Sequence, residues 1–302
     1  MKKVLLSSLL ACSLFAAEQN YIELGFGSMD SKDNFSTDSK DTISSLGNAQ
    51  SEKESIPYFE FLYAYELNEN VKIYTTSQFG EFAIGSEIES NYGLFDFGVK
   101  ADLMGEAWKN PYQTGSAREK TDTQEFGVYL GYGLSFNAQH EAMIRYDFSN
   151  KEYDKDDLTG DLKRDGKRHV LSFENMYHSS LFGKQTSYIG NLALENFDAD
   201  GEANSYNKYG VEFGTSTAFN DDLRLTLLAN FGKQDYEKHN TAVNQKVNVK
   251  IYGAKAVLKW SKPFDYKNTY VSLKSGYEKE EANTDFYDKE NTFGILSFGY
   301  LF

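Results

Sequence analysis

The chain has 302 residues, with 45 Asp and Glu against 31 Lys and Arg, and its formal net charge of -14 argues against a nucleic-acid partner. Hydrophobic residues reach only 40%, mean hydropathy is -0.58, and past Ala17 no apolar run approaches the ~20 residues of a membrane-spanning helix. Aromatic residues still make up 16% (23 Phe, 22 Tyr) and prolines number only 3, a composition that suits paired strands alternating between lipid and water.

Met1 to Ala17, MKKVLLSSLLACSLFAA, reads as a secretory signal: Lys2 and Lys3, an apolar stretch from Val4 to Phe15, then small Ala16 and Ala17. The chain thus divides into a signal over residues 1–17 and one barrel domain over 18–302. The only cysteine, Cys12, falls inside the signal and is expected to leave with it. Cleavage at a lipoprotein-like Leu9-Leu10-Ala11-Cys12 box is the alternative.

Asn20 to Gly27 begins the strands, with Ile22, Leu24 and Phe26 on one face and Tyr21, Glu23 and Gly25 on the other. A polar stretch runs from Ser28 to Ser55. Pro57 to Leu67 sets Phe59, Phe61, Tyr63 and Tyr65 against Tyr58, Glu60 and Glu66. A tight turn at Asn68-Glu69-Asn70 leads into Val71 to Gln78. Tyr92 to Leu103 puts Phe95, Phe97 and Val99 outward and Asp96 and Lys100 inward. Met104 to Gln124 reads as a long polar loop. Phe126 to Phe136 and Ala142 to Phe148 are strands joined by a short turn. The charged stretch Ser149 to Lys167 follows.

From there the rhythm is regular. Strands are expected at Arg168 to Tyr177, Thr186 to Phe197, Ser205 to Phe219, Leu223 to Asp235, Val247 to Trp260, Thr269 to Glu278 and Asn291 to Phe302. In the last of these, Leu296, Phe298, Tyr300 and Phe302 share a face opposite Ser297 and Gly299. A terminal Phe on such a strand resembles the assembly signal of outer-membrane barrels. Long loops mostly alternate with short turns, the asymmetry of a bacterial barrel and not of a soluble sandwich.

Strand direction gives the count. With the final strand descending, Val71 to Gln78 and Tyr92 to Leu103 must both ascend. Glu81 to Ser90 is then the one candidate for a descending strand between them. The prediction is an all-β, up-and-down transmembrane antiparallel barrel of fourteen strands, with twelve as the alternative pairing. Val247 to Trp260 poses one difficulty: Val247, Val249 and Ile251 are apolar on one parity, Ala254, Ala256, Leu258 and Trp260 on the other. A bulge near Tyr252-Gly253 is expected to reconcile them.

The inward parity carries Glu23, Glu60, Lys72, Asp96, Lys100, Arg145, Asp147, Glu174, Glu195, Glu212, Arg224 and Lys274. A cation at the bilayer midplane costs about 2–4 kcal/mol, so these groups need water or partners. Either they line an aqueous lumen or they pair into a polar core. The Met104 to Gln124 segment contains Trp108, Pro111, Tyr112 and Arg118. A mobile loop gains nothing from a tryptophan, so this one is expected to be ordered and folded over or into the mouth, unless Trp108 belongs to an interfacial girdle.

No catalytic residues, cofactor or metal are expected. His140, His169, His178 and His239 lack ligand spacing, and His178-Ser179-Ser180 falls in a turn at the periplasmic end. Asp198-Ala199-Asp200-Gly201-Glu202 has oxygen ligands but lacks the later Glu of a calcium loop.

Asn34 to Asp38 with Asp41 to Leu46; Gly105 to Trp108 with Asn110-Pro111-Tyr112, Thr114-Gly115 and Arg118-Glu119; Asp198 to Ala203; and Asp285 to Asp288 form a distinctive combination. Together they resemble an uncharacterised domain-of-unknown-function family of Gram-negative outer-membrane proteins. Leu301 departs from the basic residue expected before the final Phe. The resemblance implies an exported surface-exposed barrel, no known activity, and defined structure for Asn34 to Leu46 and Gly105 to Asp122, expected to pack together as a cap. The expected function is a narrow porin-like channel for small solutes. A non-conducting barrel with a structural, adhesion or envelope-integrity role is the alternative, and a lipid-modifying enzyme a third. Expected partners are outer-membrane lipid and lipopolysaccharide, the barrel assembly machinery, and divalent cations at the acidic loops.

Overall fold

The computed structural model describes residues 20–78 and 80–302. The signal read over 1–17, with Cys12, lies outside the described residues. Fourteen antiparallel strands close into one barrel, each paired with its sequence neighbours and the last with the first. They are β1 (Tyr21–Lys32), β2 (Glu52–Asn68), β3 (Val71–Gln78), β4 (Glu81–Ser90), β5 (Gly93–Trp108), β6 (Lys120–Asn137) and β7 (His140–Tyr153). Then follow β8 (Gly166–Leu181), β9 (Lys184–Ala199), β10 (Tyr206–Ala218), β11 (Leu223–Asn240), β12 (Gln245–Ser261), β13 (Thr269–Ala282) and β14 (Lys289–Leu301). The strand inferred from direction alone, Glu81 to Ser90, has the bounds of β4.

Followed once round the wall, the register returns to β1 about 16 residues higher, which with fourteen strands sets a tilt of about 40°. Both described ends of the chain lie at one end, the foot. From the foot upward the outer face is apolar for about 10 residues per strand, about 25 Å of height, the thickness of a membrane barrel's lipid-facing band. Tyr65, Leu67, Phe136, Trp260, Tyr300 and Phe302 form its lower edge, exposed on the outside. The upper edge lies where Gln124, Asn150, His169, Asn196, Lys233 and Lys250 replace Phe126, Phe148, Leu171, Leu194, Phe231 and Tyr252 on the outward parity.

Most strands continue past this edge as a collar. Met104 to Gln124 is therefore not one long loop: β5 runs on to Trp108, β6 starts at Lys120, and only 109–119 connects them. The β5–β6 register slips between Asp102 and Gly105. His178-Ser179-Ser180 likewise belongs to β8, paired with Ser187, Thr186 and Gln185 of β9, and not to a turn.

The bulge expected at Tyr252-Gly253 is absent, because β11 and β12 pair in unbroken register from Leu223↔Trp260 to Asp235↔Asn248. The physical reason is the collar. In the band, inward parity is polar and outward apolar. Above it the outside meets water (Lys246, Lys250) and the inside meets packed loops, so Val247, Val249 and Ile251 point inward and are buried. One continuous strand crosses two media and its pattern inverts between them.

Inside the band, large rings lie on glycines of neighbouring strands. A Cβ at Gly276 would run into the Phe293 ring, and one at Gly98 would stand 2.6 Å from that of Tyr129. These glycines let inward aromatics lie flat on the wall.

Candidate functional site

The inward charges form clusters along the wall. In the first, Lys274 of β13 places its Nζ 2.9 Å from Glu23 of β1 and 3.4 Å from Glu60 of β2, and 4.1 Å from the ring centre of Tyr58. Tyr270 donates to Glu23 at 2.8 Å, Tyr21 donates to Glu60 at 2.5 Å, and Ser297 also donates to Glu23. Each buried carboxylate therefore has a cation and hydroxyl donors, the condition for keeping a charge out of water.

The second cluster centres on Arg145 of β7. Its guanidinium reaches Asp147 at 3.2 Å and Asp96 of β5 at 3.4 Å, and lies 4.0 Å over the Tyr129 ring. Asp96 is 1% exposed and also accepts from Tyr74 at 2.6 Å. Lys100 reaches Asp147 at 2.9 Å, and Lys72 pairs with Glu87 at 3.5 Å. A third cluster stands at the upper edge of the band, where Arg168 joins Glu125 (3.2 Å) and Glu195 (3.4 Å), and Tyr206 donates to Glu195 at 2.7 Å.

Three residues of the predicted inward set stand apart. Glu212 accepts from Asn191 at 3.0 Å. Glu174 has a buried Oε2 with no hydrogen-bond partner among the described residues. Arg224 sits exposed at the foot, 3.4 Å from Ser216 Oγ. Apolar side chains share the interior: Met29, Ile56, Tyr58, Phe293 and Ile295 form one buried group, Met176, Ile189 and Leu228 another. The inward tyrosines 58, 74, 129 and 270 were missed as participants, though their parity beside Glu60, Lys72 and Asp96 was readable.

At the rim, the 109–119 loop lies against the 33–51 loop. Trp108 is 2% exposed and its indole N–H donates to the Ser36 carbonyl at 2.9 Å, so it is no girdle residue. Arg118 donates to the carbonyls of Asn34 (2.7 Å), Pro111 (3.3 Å), Asp41 (3.3 Å) and Lys40, and stacks 4.3 Å from the Trp108 ring centre. Burial pulls its pKa down to about 10, so it stays charged at neutral pH. A bridge between Thr42 and Ala117 joins the loops edge to edge.

Beyond Pro111, Tyr112 shares a hydrogen bond with Tyr287 (2.7 Å), and Asn240 at the top of β11 donates to both hydroxyls at 2.9 Å. Phe35 and Phe286 pack on the same rings, over Val247, Val249 and Ile251. The strands behind Tyr112 and the strand carrying Asn240 stand nearly opposite in the barrel order. The two loops thus form a bar across the mouth, and Asn240, Phe286 and Tyr287 are its far anchor.

The DUF2860 family, described as protein of unknown function, matches residues 19–301. The chain belongs to that family. No curated protein matches it. In fold this DUF2860 chain is similar to a FadL homologue of Pseudomonas aeruginosa, at 12% identity over 94% of this chain and 91% of that one, with a TM-score of 0.52. It is also similar to a deltaS2 mutant of the TodX monoaromatic hydrocarbon channel, at 12% identity over 97% and 92% of the two chains, TM-score 0.51. These likenesses establish the outer-membrane barrel fold. Among the described residues no group of three or more His, Cys, Asp or Glu is arranged to hold a metal ion.

Proposed function

We propose that this barrel is a passive outer-membrane channel for small solutes, exported to that membrane by the segment at its amino terminus. The observation that carries the reading is the placement of the inward charges. Lys274, Lys100, Arg145 and Arg168 find their carboxylates on strands no more than three apart round the wall. Pairs that follow the wall stabilise an inner surface without reaching across the bore, as a narrow water-filled passage requires. The mixed lining, with Met29, Ile56 and Phe293 beside the ion pairs, suits solutes with an apolar part. The similar fold of a protein described as a monoaromatic hydrocarbon channel is consistent with that class.

The second reading is a non-conducting barrel with a role in adhesion or envelope integrity. The bar across the mouth and the complete pairing of Arg145 favour it. Recording from purified protein in planar bilayers decides between them. Small, steady unit currents are expected. No current at any voltage removes the channel.

A further inference from the structure

We propose that three lysines on the outside of the collar, Lys233, Lys250 and Lys279, form a seat for the phosphates of lipid A in the outer leaflet. The inference rests on the outer-membrane placement of the barrel and holds whether or not the bore conducts.

At the upper edge of the band the outward parity turns from apolar to polar. On β6 to β10 the first polar row holds Gln124, Asn150, His169, Asn196 and Asn207, with no lysine, arginine or carboxylate. On β11, β12 and β13 the same row holds Lys233, Lys250 and Lys279. Lys233 and Lys250 stand directly opposite each other across the β11–β12 ladder. Lys279 stands opposite Tyr252, the next outward residue below Lys250. Allowing for tilt, the three lie within about one residue of a common level and span about 12 Å of the circumference.

Like charges directly opposite on a sheet face repel, so this arc gains from a counter-ion. The protein supplies only part of one. Asp235 pairs with Lys233 at 2.8 Å. Glu281 stands across from Lys250 one row higher, and Glu290, across from Lys279, pairs with Lys32 at 3.3 Å. Lys279 donates to the Tyr252 hydroxyl. Among the described residues, neither Lys250 nor Lys279 forms an ion pair with a carboxylate.

What lies beneath the lysines names the occupant. Tyr209 and Phe231 are exposed on the outer face just below them, and Phe213 stacks on Phe231 with 6.0 Å between ring centres. A ligand seated here therefore has anions at its head and hydrocarbon below. A chain with a formal charge of -14 is repelled by a phosphate-rich leaflet as a whole, so its attraction to that leaflet has to be local. Lysine ammonium groups bind phosphate as point charges. A lipid with one phosphate would engage one end of the row, whereas the two phosphates of lipid A can occupy both.

The test uses full-length protein purified in neutral detergent, with bound lipid counted by native mass spectrometry. The probes are bis-phosphorylated lipid A, the same lipid A with its phosphates removed enzymatically, phosphatidylglycerol and inorganic phosphate. The variant is Lys233→Gln/Lys250→Gln/Lys279→Gln. Its control, Lys53→Gln/Lys120→Gln/Lys184→Gln, makes the same change in net charge at exposed lysines on other arcs. Wild type and control are expected to retain bis-phosphorylated lipid A alike. The triple variant is expected to bind it roughly tenfold or more weakly, and the corresponding triple arginine variant to recover most of the loss. Equal loss in the control, or no loss in the triple variant, overturns the seat. Equal retention of dephosphorylated lipid A assigns the binding to acyl chains and overturns it too. Phosphatidylglycerol held as well as lipid A, or inorganic phosphate displacing it at equal concentration, reduces the arc to a general anion patch and overturns the choice of lipid A. If the triple variant fails to assemble, Lys250→Glu decides alone, because that side chain leaves no ion pair behind. Ion current plays no part in these readings, so an absent current removes the channel and leaves the seat standing.

Discussion

The hydroxyls of Tyr112 and Tyr287 lie 2.7 Å apart although 175 residues separate them in sequence, and Asn240 donates to both. This knot ties the bar to the far rim. Replacing both tyrosines by Phe leaves the fully buried Asn240 amide without these acceptors, at a cost of about 1–3 kcal/mol. The expected outcome is a rim that opens while the barrel stays folded: faster trypsin cleavage within 109–120 and larger, noisier unit currents. Unchanged cleavage and current would show that the knot does not hold the bar.

Arg145 neutralises two inward carboxylates at once. Arg145→Met removes the cation and leaves Asp96 and Asp147 buried side by side, with Lys100 serving only the latter. Losing one side of a buried pair costs about 3–5 kcal/mol. The variant is expected to unfold at clearly lower urea in detergent micelles. The double variant Arg145→Met/Asp96→Asn is expected to recover most of the loss, which separates charge from packing.

Asp33 gives the rim assembly a pH dependence. It is buried just past β1, and its Oδ1 accepts the Phe35 N–H at 2.8 Å. Burial pushes its carboxyl above the ordinary range, against the pull of Lys289. A carboxyl whose pKa rises on folding takes up protons more readily when folded. Its contribution to stability therefore falls as pH climbs from the unfolded value through the folded one. Asp33→Asn keeps the acceptor and removes the charge. It is expected to stabilise the rim at neutral pH and to match the parent below about pH 4. Urea titration of Trp108 fluorescence in a Trp260→Phe background, at both pH values, measures the difference.

Phe302 stacks against Tyr63 and Tyr300 at the foot, and its N–H donates to the Asn20 carbonyl at 2.9 Å. Deleting it removes that contact and the terminal aromatic expected to guide assembly. Surface yield on quantitative blotting is expected to drop. An undiminished yield would assign the residue to the aromatic girdle alone.

The apolar band was legible in sequence because hydrocarbon imposes a strict period of two. Phe95, Phe97 and Val99 against Asp96 and Lys100 leave no second reading, and direction alone located β4. The collar was not legible. Above the band water lies outside and loops lie inside, so Val247, Val249 and Ile251 carry the opposite parity from Ala254, Ala256 and Leu258 on an unbroken strand. The partners of the inward charges were hidden for another reason. Lys274 meets Glu60 across two intervening strands, a proximity set by closure of the sheet and by no local spacing. Trp108 and Arg118 were identified as belonging to an ordered segment, but their acceptors are backbone carbonyls, which sequence does not mark.

Because the strands outlast the bilayer, the two halves of each tolerate change differently. One residue inserted near the foot turns every side chain of its stave to the wrong medium. One inserted near the top displaces only groups already bathed in solvent or wrapped in loop. Drift in chain length among relatives is thus expected to collect at the summit, leaving the number of staves and their lower halves untouched.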